Sequence, residues 1–388
     1  MNQSPVSIVR CKTYKEFEVE KAVREGIERL GGLTQFVKPG QKVLLKPNLL
    51  SPTPPDKAVT THPAVVKAMI KLVKEAGGIP LVGDSPGTPF TSTEKLLQVT
   101  GVGQAALEAG AKIISFEKEK SVKIENPEGR VLKSLYLVKP ALEVDVIISL
   151  PKLKTHILTF LTLGIKNLYG LVPGQLKSEY HRLFRRTDKF ADVLLDIFTY
   201  LAPKVKLAVM DAVVGMEGNG PQQGHPKEIG LILASQDLVA LDAVASSIVG
   251  FDPLQIETTR AAADLNLGEA DLNKIDILGP GIEEVKIDEL LPPPSLPRRL
   301  MPILEFKPLG KLFWIRPVIK GDRCTQCGIC REVCPAEAVL EKDGRLLIDY
   351  DRCIKCFCCL EMCVYGGLDI QTSPARKLTS RVRKFLRR

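Results

Sequence analysis

Residues 324–363 read CTQCGICREVCPAEAVLEKDGRLLIDYDRCIKCFCCLEMC, and this stretch decides the fold of the C-terminal part of the chain. One spacing occurs in it twice: Cys324-x2-Cys327-x2-Cys330-x3-Cys334, followed by Pro335, and Cys353-x2-Cys356-x2-Cys359-x3-Cys363. An iron–sulfur cube needs four thiolates at the corners of a tetrahedron. Two-residue gaps let three sulfurs of one tight loop converge on three irons, while the fourth ligand arrives from the other repeat. The pattern therefore predicts two [4Fe–4S] clusters, one on Cys324, Cys327, Cys330 and Cys363 and the other on Cys353, Cys356, Cys359 and Cys334. Zinc ribbons fit worse, because they use two separated pairs rather than a triplet plus a distant fourth ligand. Disulfides fit worse too, because they need an oxidising compartment and the opening MNQSPVSIVR has no apolar signal core.

Over residues 321–372 the segment resembles the bacterial-type two-cluster ferredoxins. It departs in two places: Val364 stands where a proline is expected after the second repeat, and Cys358 is an additional thiol beside Cys359. Of the ten cysteines only Cys11 and Cys358 lie outside the repeats, which points to a reducing cytoplasm and a low-oxygen life.

Working outward, 388 residues leave about 300 for a sizeable core before the cysteines. Hydrophobic content of 45% with 26% charged residues is that of a globular protein, and no apolar run reaches the roughly 18 residues of a membrane span. Aromatics are 5%, too few for a nucleic-acid platform of stacked rings despite the net charge of +9. Much of that charge closes the chain: residues 375–388 carry seven Lys or Arg and no acid, with Leu378, Val382, Phe385 and Leu386 on one helical face. Such a basic amphipathic helix suits peripheral contact with an anionic membrane surface or an acidic partner. The run Leu291-Pro292-Pro293-Pro294 marks a boundary, since consecutive prolines continue neither helix nor central strand. The expected divisions are an α/β domain at 1–290, a Pro-rich and apolar-basic linker at 291–320, a ferredoxin domain at 321–372 and a basic tail at 373–388.

Residues 42–46, 79–82, 144–150, 206–210 and 275–278 are short apolar runs ending at Gly, Pro, Asn or Asp, and amphipathic helices are expected between them at 63–76, 189–200 and 238–249. Strands buried on both faces and separated by helices predict an α/β fold with a mainly parallel sheet, whose ligand sits at the C-terminal strand ends. Those ends are polar: Lys46-Pro47-Asn48, Gly83-Asp84-Ser85, Lys152-x-Lys154-Thr155-His156 and Asp211. Neither Gly101-Val102-Gly103 nor Gly218-Asn219-Gly220 has the strand and spacing of a dinucleotide fingerprint, and no Walker lysine pattern occurs. His156 and His181, two of only four histidines, bracket Lys166 and Asn167. Several cations gathered at strand ends make an anion pocket, and an imidazole beside them can exchange a proton near neutral pH.

The combination of LKPN, THP, DVIISLPKLKTH, GIKNLYG, MDAVVGMEGNGP and LDAVASSIVGFDP is similar to the family called domain of unknown function 362, over roughly residues 5–280. That resemblance implies the fold and the accompanying clusters but no reaction. Residues 145–174 also look like a segment of the nickel-pincer lactate racemase family. This second resemblance implies a catalytic role for His156, a cofactor-tethering role for Lys166 and a metal-binding role for His181. Gly164-Ile165 departs from the family's Gly-Gly, and its histidine-arginine loop is absent, with His62 the one substitute.

The resulting expectation is a crevice with His156, Lys166 and His181 as catalytic groups and Lys46, Asn48, Asp84, Lys154, Asn167 and Asp211 as binding groups. Two function classes follow. In the first, the clusters exchange electrons with a small anionic substrate or a partner protein at the crevice. In the second, the α/β domain is a non-redox binding or isomerase module with structural or sensory clusters.

Overall fold

The computed structural model describes residues 4–87, 92–293 and 314–375. The expected basic helix and most of the expected linker lie outside the described residues.

Twelve strands precede residue 290: β1 (Ser4–Arg10), β2 (Lys42–Pro47), β3 (Ile79–Val82), β4 (Lys112–Ile113), β5 (Ser121–Glu125), β6 (Ser134–Val138), β7 (Val146–Leu150), β8 (Lys152–His156), β9 (Phe160–Thr162), β10 (Val205–Asn219), β11 (Gln223–Ser235) and β12 (Ile275–Leu278). Ten form one sheet of order β12-β1-β11-β10-β7-β2-β3-β4, with β8 and β9 attached beside β10. Pairing in it is parallel except where β11 runs against β1 and β10 and where β9 runs against β8. The fold is thus α/β with a mostly parallel central sheet. Side-chain alternation explains its two faces. Leu44 and Ile147 pack with the helices Thr187–Leu201 and Leu238–Ile248, whereas Val43, Leu45, Val146 and Ile148 pack with Glu16–Glu28 and Pro63–Glu75.

Two features differ from expectation. Residues 152–156, read as a strand-end loop, are the strand β8, and all five residues are buried. A lone leucine among Lys, Lys, Thr and His signals no strand, yet the polar groups find buried partners on β10 and nearby backbone. The run at 206–210 is only the start of β10, which continues to Asn219 and folds back as β11. Gly215, Gly218, Gly224 and Pro226 interrupt the apolar pattern of this hairpin, so alternation alone does not reveal it.

The C-terminal part pairs β13 (Ile315–Ile319) with β16 (Leu368–Thr372) and β14 (Val339–Lys342) with β15 (Arg345–Ile348). One short helix per repeat, Ile329–Glu332 and Cys358–Glu361, carries the third cysteine of that repeat. The backbone repeats as well: Gln326 and Lys355 take left-handed φ of 57° and 58°, and Gly328 and Phe357 take 80° and 64°. These turns curl each Cys-x2-Cys-x2-Cys loop inward, at the cost of about 1–2 kcal/mol for each non-glycine residue.

The two parts are clamped together. Ile157 enters the apolar core of the cysteine-rich part, beside Phe357, Leu360 and Leu368. From the hairpin, Gln223 donates to the Cys363 carbonyl and Asn219 Nδ2 approaches Asp369 at 3.4 Å. Near its turn it also holds the connecting chain, with Gly218 N donating to the Leu291 carbonyl at 2.7 Å and Leu291 N to Glu217 at 3.0 Å.

Candidate functional site

β2, β3 and β7 end side by side, so their last residues meet although far apart in sequence. Lys46 Nζ lies 2.8 Å from Asp84 Oδ1 with both side chains almost fully buried. It also donates to Asn167 Oδ1 at 3.1 Å, which accepts from Asn48 Nδ2 at 3.2 Å. Asn167 Nδ2 in turn donates to the Lys46 carbonyl and to Ser149, both at 3.0 Å. Asp84 spends its remaining acceptors on the backbone of Leu49 and Ser85 at 2.6 and 2.9 Å. A Cβ at Gly170 would collide with both the Asp84 carboxylate and the Lys46 ammonium, so this close approach requires glycine.

Lys166 and Asn167 are presented by the short helix Gly164–Asn167, whose first N–H groups, those of Gly164 and Ile165, donate to Asp242 at 2.6 and 3.1 Å. Burial pushes the Asp242 carboxyl up to about 7, with these two hydrogen bonds opposing the rise. Lys166 is half-buried, its ammonium 5.8 Å from the Tyr169 ring centroid, and among the described residues it has no hydrogen-bonded partner. Burial lowers its pKa.

His156, Lys166 and His181 converge. Burial first, then the charges of Lys166, His181 and Lys154, hold the His156 imidazole neutral. Its Nδ1 accepts from the N–H groups of Leu158 and Thr159 at 3.1 and 3.3 Å, which leaves the proton on Nε2. His181 stacks on Phe190 with ring centroids 4.4 Å apart, and burial, aided by Lys166, pushes its pKa down to about 3. Lys154, fully buried, donates to the Val59 carbonyl at 2.5 Å.

Several of these residues, though not His156 or Lys154, line a partly open chamber together with the C-terminal part. Lys46, Asn48, Asp84, Lys166, Asn167 and His181 line one side, and Val333, Cys358, Glu361 and Met362 the other. Glu361 Oε1 lies 3.3 Å from His156 Nε2 without an aligned hydrogen bond at either atom. Burial pushes the Glu361 carboxyl up to about 7, against the pull of Lys166 and Lys154.

Asp211 stands apart from the chamber lining. It accepts from Lys152 Nζ at 2.9 Å and from Tyr14 at 2.7 Å, while the Tyr14 ring stacks on His62 at 3.6 Å. His62 caps the helix Pro63–Glu75 through Nδ1 and does not join His181 at the chamber. Lys177 and Glu361 line the chamber and are not expected from the sequence. Lys177, pushed down to about 7 by burial, donates to the Ser85 and Pro86 carbonyls at 2.7 and 3.1 Å. The signal for Lys177 is its place one helical turn before His181; Glu361 reads as an ordinary acid between cysteines.

Cys324, Cys327, Cys330 and Cys363 line one apolar pocket with Ile319, Ile329 and Leu346. Cys334, Cys353, Cys356 and Cys359 are the remaining thiols of the two repeats. Thiol-only donors in apolar surroundings fit iron–sulfur cubes.

The profile of a 4Fe-4S dicluster domain matches residues 316–364, so the C-terminal part is a ferredoxin-type iron–sulfur domain with electron-transfer capacity. The chain is 38% identical over 263 residues to the thylakoid-associated protein sll1697 of Synechocystis sp., an alignment covering 68% of this chain and 79% of that protein. Two solved structures are similar. One is the lactate racemase apoprotein of Thermoanaerobacterium thermosaccharolyticum, with 14% identity, a TM-score of 0.39 and coverage of 64% of this chain. The other is a Thermotoga maritima protein, with 12% identity, a TM-score of 0.37 and coverage of 66%. The chain spans 57% and 60% of the lengths of those two structures. The profile of the domain of unknown function DUF362 matches residues 43–247, more than half of the sequence, and the chain belongs to that family.

Proposed function

We propose that this is an iron–sulfur redox protein that binds a small anionic ligand in the chamber between its two parts. The observation that carries the reading is the composition of that one chamber: Lys46, Lys166 and His181 come from the sheet side, and Cys358 and Glu361 come from the cluster-binding domain. The eight repeat cysteines hold two [4Fe–4S] clusters in crossed fashion, Cys363 completing the first set and Cys334 the second. Such clusters supply one-electron transfer at potentials tuned by hydrogen bonding and exposure.

The chain's own groups divide the remaining work. Lys46 and Asp84 neutralise each other, while Lys166 has no hydrogen-bonded partner among the described residues and is the natural anchor for a carboxylate or phosphate. Tyr169, Leu49 and Met362 line the same chamber and limit the water around that charge. His156 keeps its proton at Nε2, 3.3 Å from Glu361 Oε1, so as a neutral donor it can orient that carboxyl at the chamber wall. A redox partner protein exchanges electrons with the cluster domain. The basic tail makes peripheral contact with an anionic membrane surface from the cytoplasmic side, a reading supported by the name of the thylakoid-associated relative.

Calorimetric titration of the anaerobically reconstituted chain with inorganic phosphate and with acetate tests the chamber. At least one anion should bind saturably. Lys166→Met should weaken it by about tenfold or more, the worth of a charged hydrogen bond, at unchanged iron content. No saturable binding of either anion, or equal affinity in the variant, sinks the reading.

A further inference from the structure

Lys177 stands on the helix Gly174–Leu183 and lines the chamber with only 7% of its surface exposed. Its ammonium donates to the Ser85 and Pro86 carbonyls, which leaves one of its three N–H bonds unused. Among the described residues no carboxylate pairs with Lys177, and none pairs with Lys166. One tyrosine ties the two lysines together. The Lys166 ammonium lies 5.8 Å from the Tyr169 ring centroid, and the Tyr169 hydroxyl donates to the Lys177 carbonyl at 3.0 Å. The other ionisable groups facing them are engaged elsewhere or neutral: Lys46 and Asp84 form their own ion pair, burial keeps His181 neutral, and Glu361, on the opposite wall, lies 3.3 Å from His156 rather than against either lysine.

We infer that the chamber takes a ligand with two negative charges, one compensated by Lys166 and the other by Lys177. The ligand carries either one doubly charged group, as sulfate and hydrogen phosphate do, or two carboxylates, as succinate does. The argument is one of charge balance. A buried ammonium without an anionic partner is destabilising, because carbonyl dipoles replace only part of its hydration. Two such ammoniums in one chamber present a double positive charge, which a singly charged carboxylate halves and a dianion cancels. Where water is partly excluded, that difference is larger than at an open surface. A tether for residues 85–86 alone would need only a neutral donor, yet the chain buries a lysine there.

The inference rests on the anion-binding reading above and adds the charge of the ligand. Calorimetry of the anaerobically reconstituted full chain compares acetate, sulfate and succinate at one ionic strength. At least one dianion should bind about tenfold or more tighter than acetate, sulfate if the two ammoniums share one group and succinate if they lie apart. Lys177→Gln should remove most of that preference at unchanged iron content, and Lys177→Arg should keep it. Lys166→Met should instead weaken all three anions. The preference of the unaltered protein needs no variant and decides the matter even where a variant does not fold. Acetate binding as tightly as both dianions overturns the inference and leaves the anion-binding reading standing, whereas no saturable binding of any of the three removes both. A preference that persists in Lys177→Gln would make Lys177 a tether only and overturn the inference as well.

Discussion

His181 shows how burial sets the chemistry of single residues here. Its ring is buried against Phe190, which pushes its pKa down to about 3, whereas the released side chain titrates near 6.5. The unfolded chain therefore takes up this proton first, and the stability present above pH 6.5 is lost as the pH falls toward 3. The slope is about 1.4 kcal/mol per pH unit, or roughly 2 kcal/mol by pH 5. Thermal melts at pH 7 and pH 5 should show a smaller acid loss in His181→Gln than in the unaltered protein; equal losses would refute this account. The convergence of His156, Lys166 and His181 was legible because they flank one strand-to-helix connection. The burial of Lys152 and Lys154 was not, since a lysine in sequence looks like a surface charge and only the partners Asp211 and the Val59 carbonyl make it a buried one.

At the scale of elements, strands of four to six residues could be read from apolar runs alone: β3 and β12 fall where the sequence places them. Pairing direction could not, because a run buried on both faces looks the same in a parallel and an antiparallel neighbourhood. The antiparallel β11 is accordingly the part of the sheet that sequence patterning hides. The duplicated cysteine loops were legible as a ferredoxin-type 4Fe-4S domain, and the expected crossing of their ligands can be tested. Cys334→Ala should lower iron from about eight to about four per chain and remove the signal that depends on Cys353, Cys356 and Cys359. Loss of the signal that depends on Cys324, Cys327 and Cys330 instead would show that each repeat binds its own cube.

For the molecule as a whole, the hairpin of β10 and β11 and the inserted Ile157 hold the cluster domain against the sheet edge. The tail belongs to this scale as well, although it lies outside the described residues. Among the described residues no helix is long and apolar enough to cross a membrane. Any membrane contact through residues 375–388 is therefore expected to be electrostatic and salt-sensitive. Deleting them should abolish sedimentation with anionic vesicles at low salt and leave iron content intact; undiminished sedimentation would rule out this anchor. The helix Cys358–Glu361 carries a last consequence. It closes the ligand chamber of a domain that contains no repeat cysteine, yet it is held in place between Cys356 and Cys363. On the proposed two-cluster reading, oxygen that dismantles the clusters is expected to loosen that wall, so anion binding by the iron-free domain should be lost in air together with the iron.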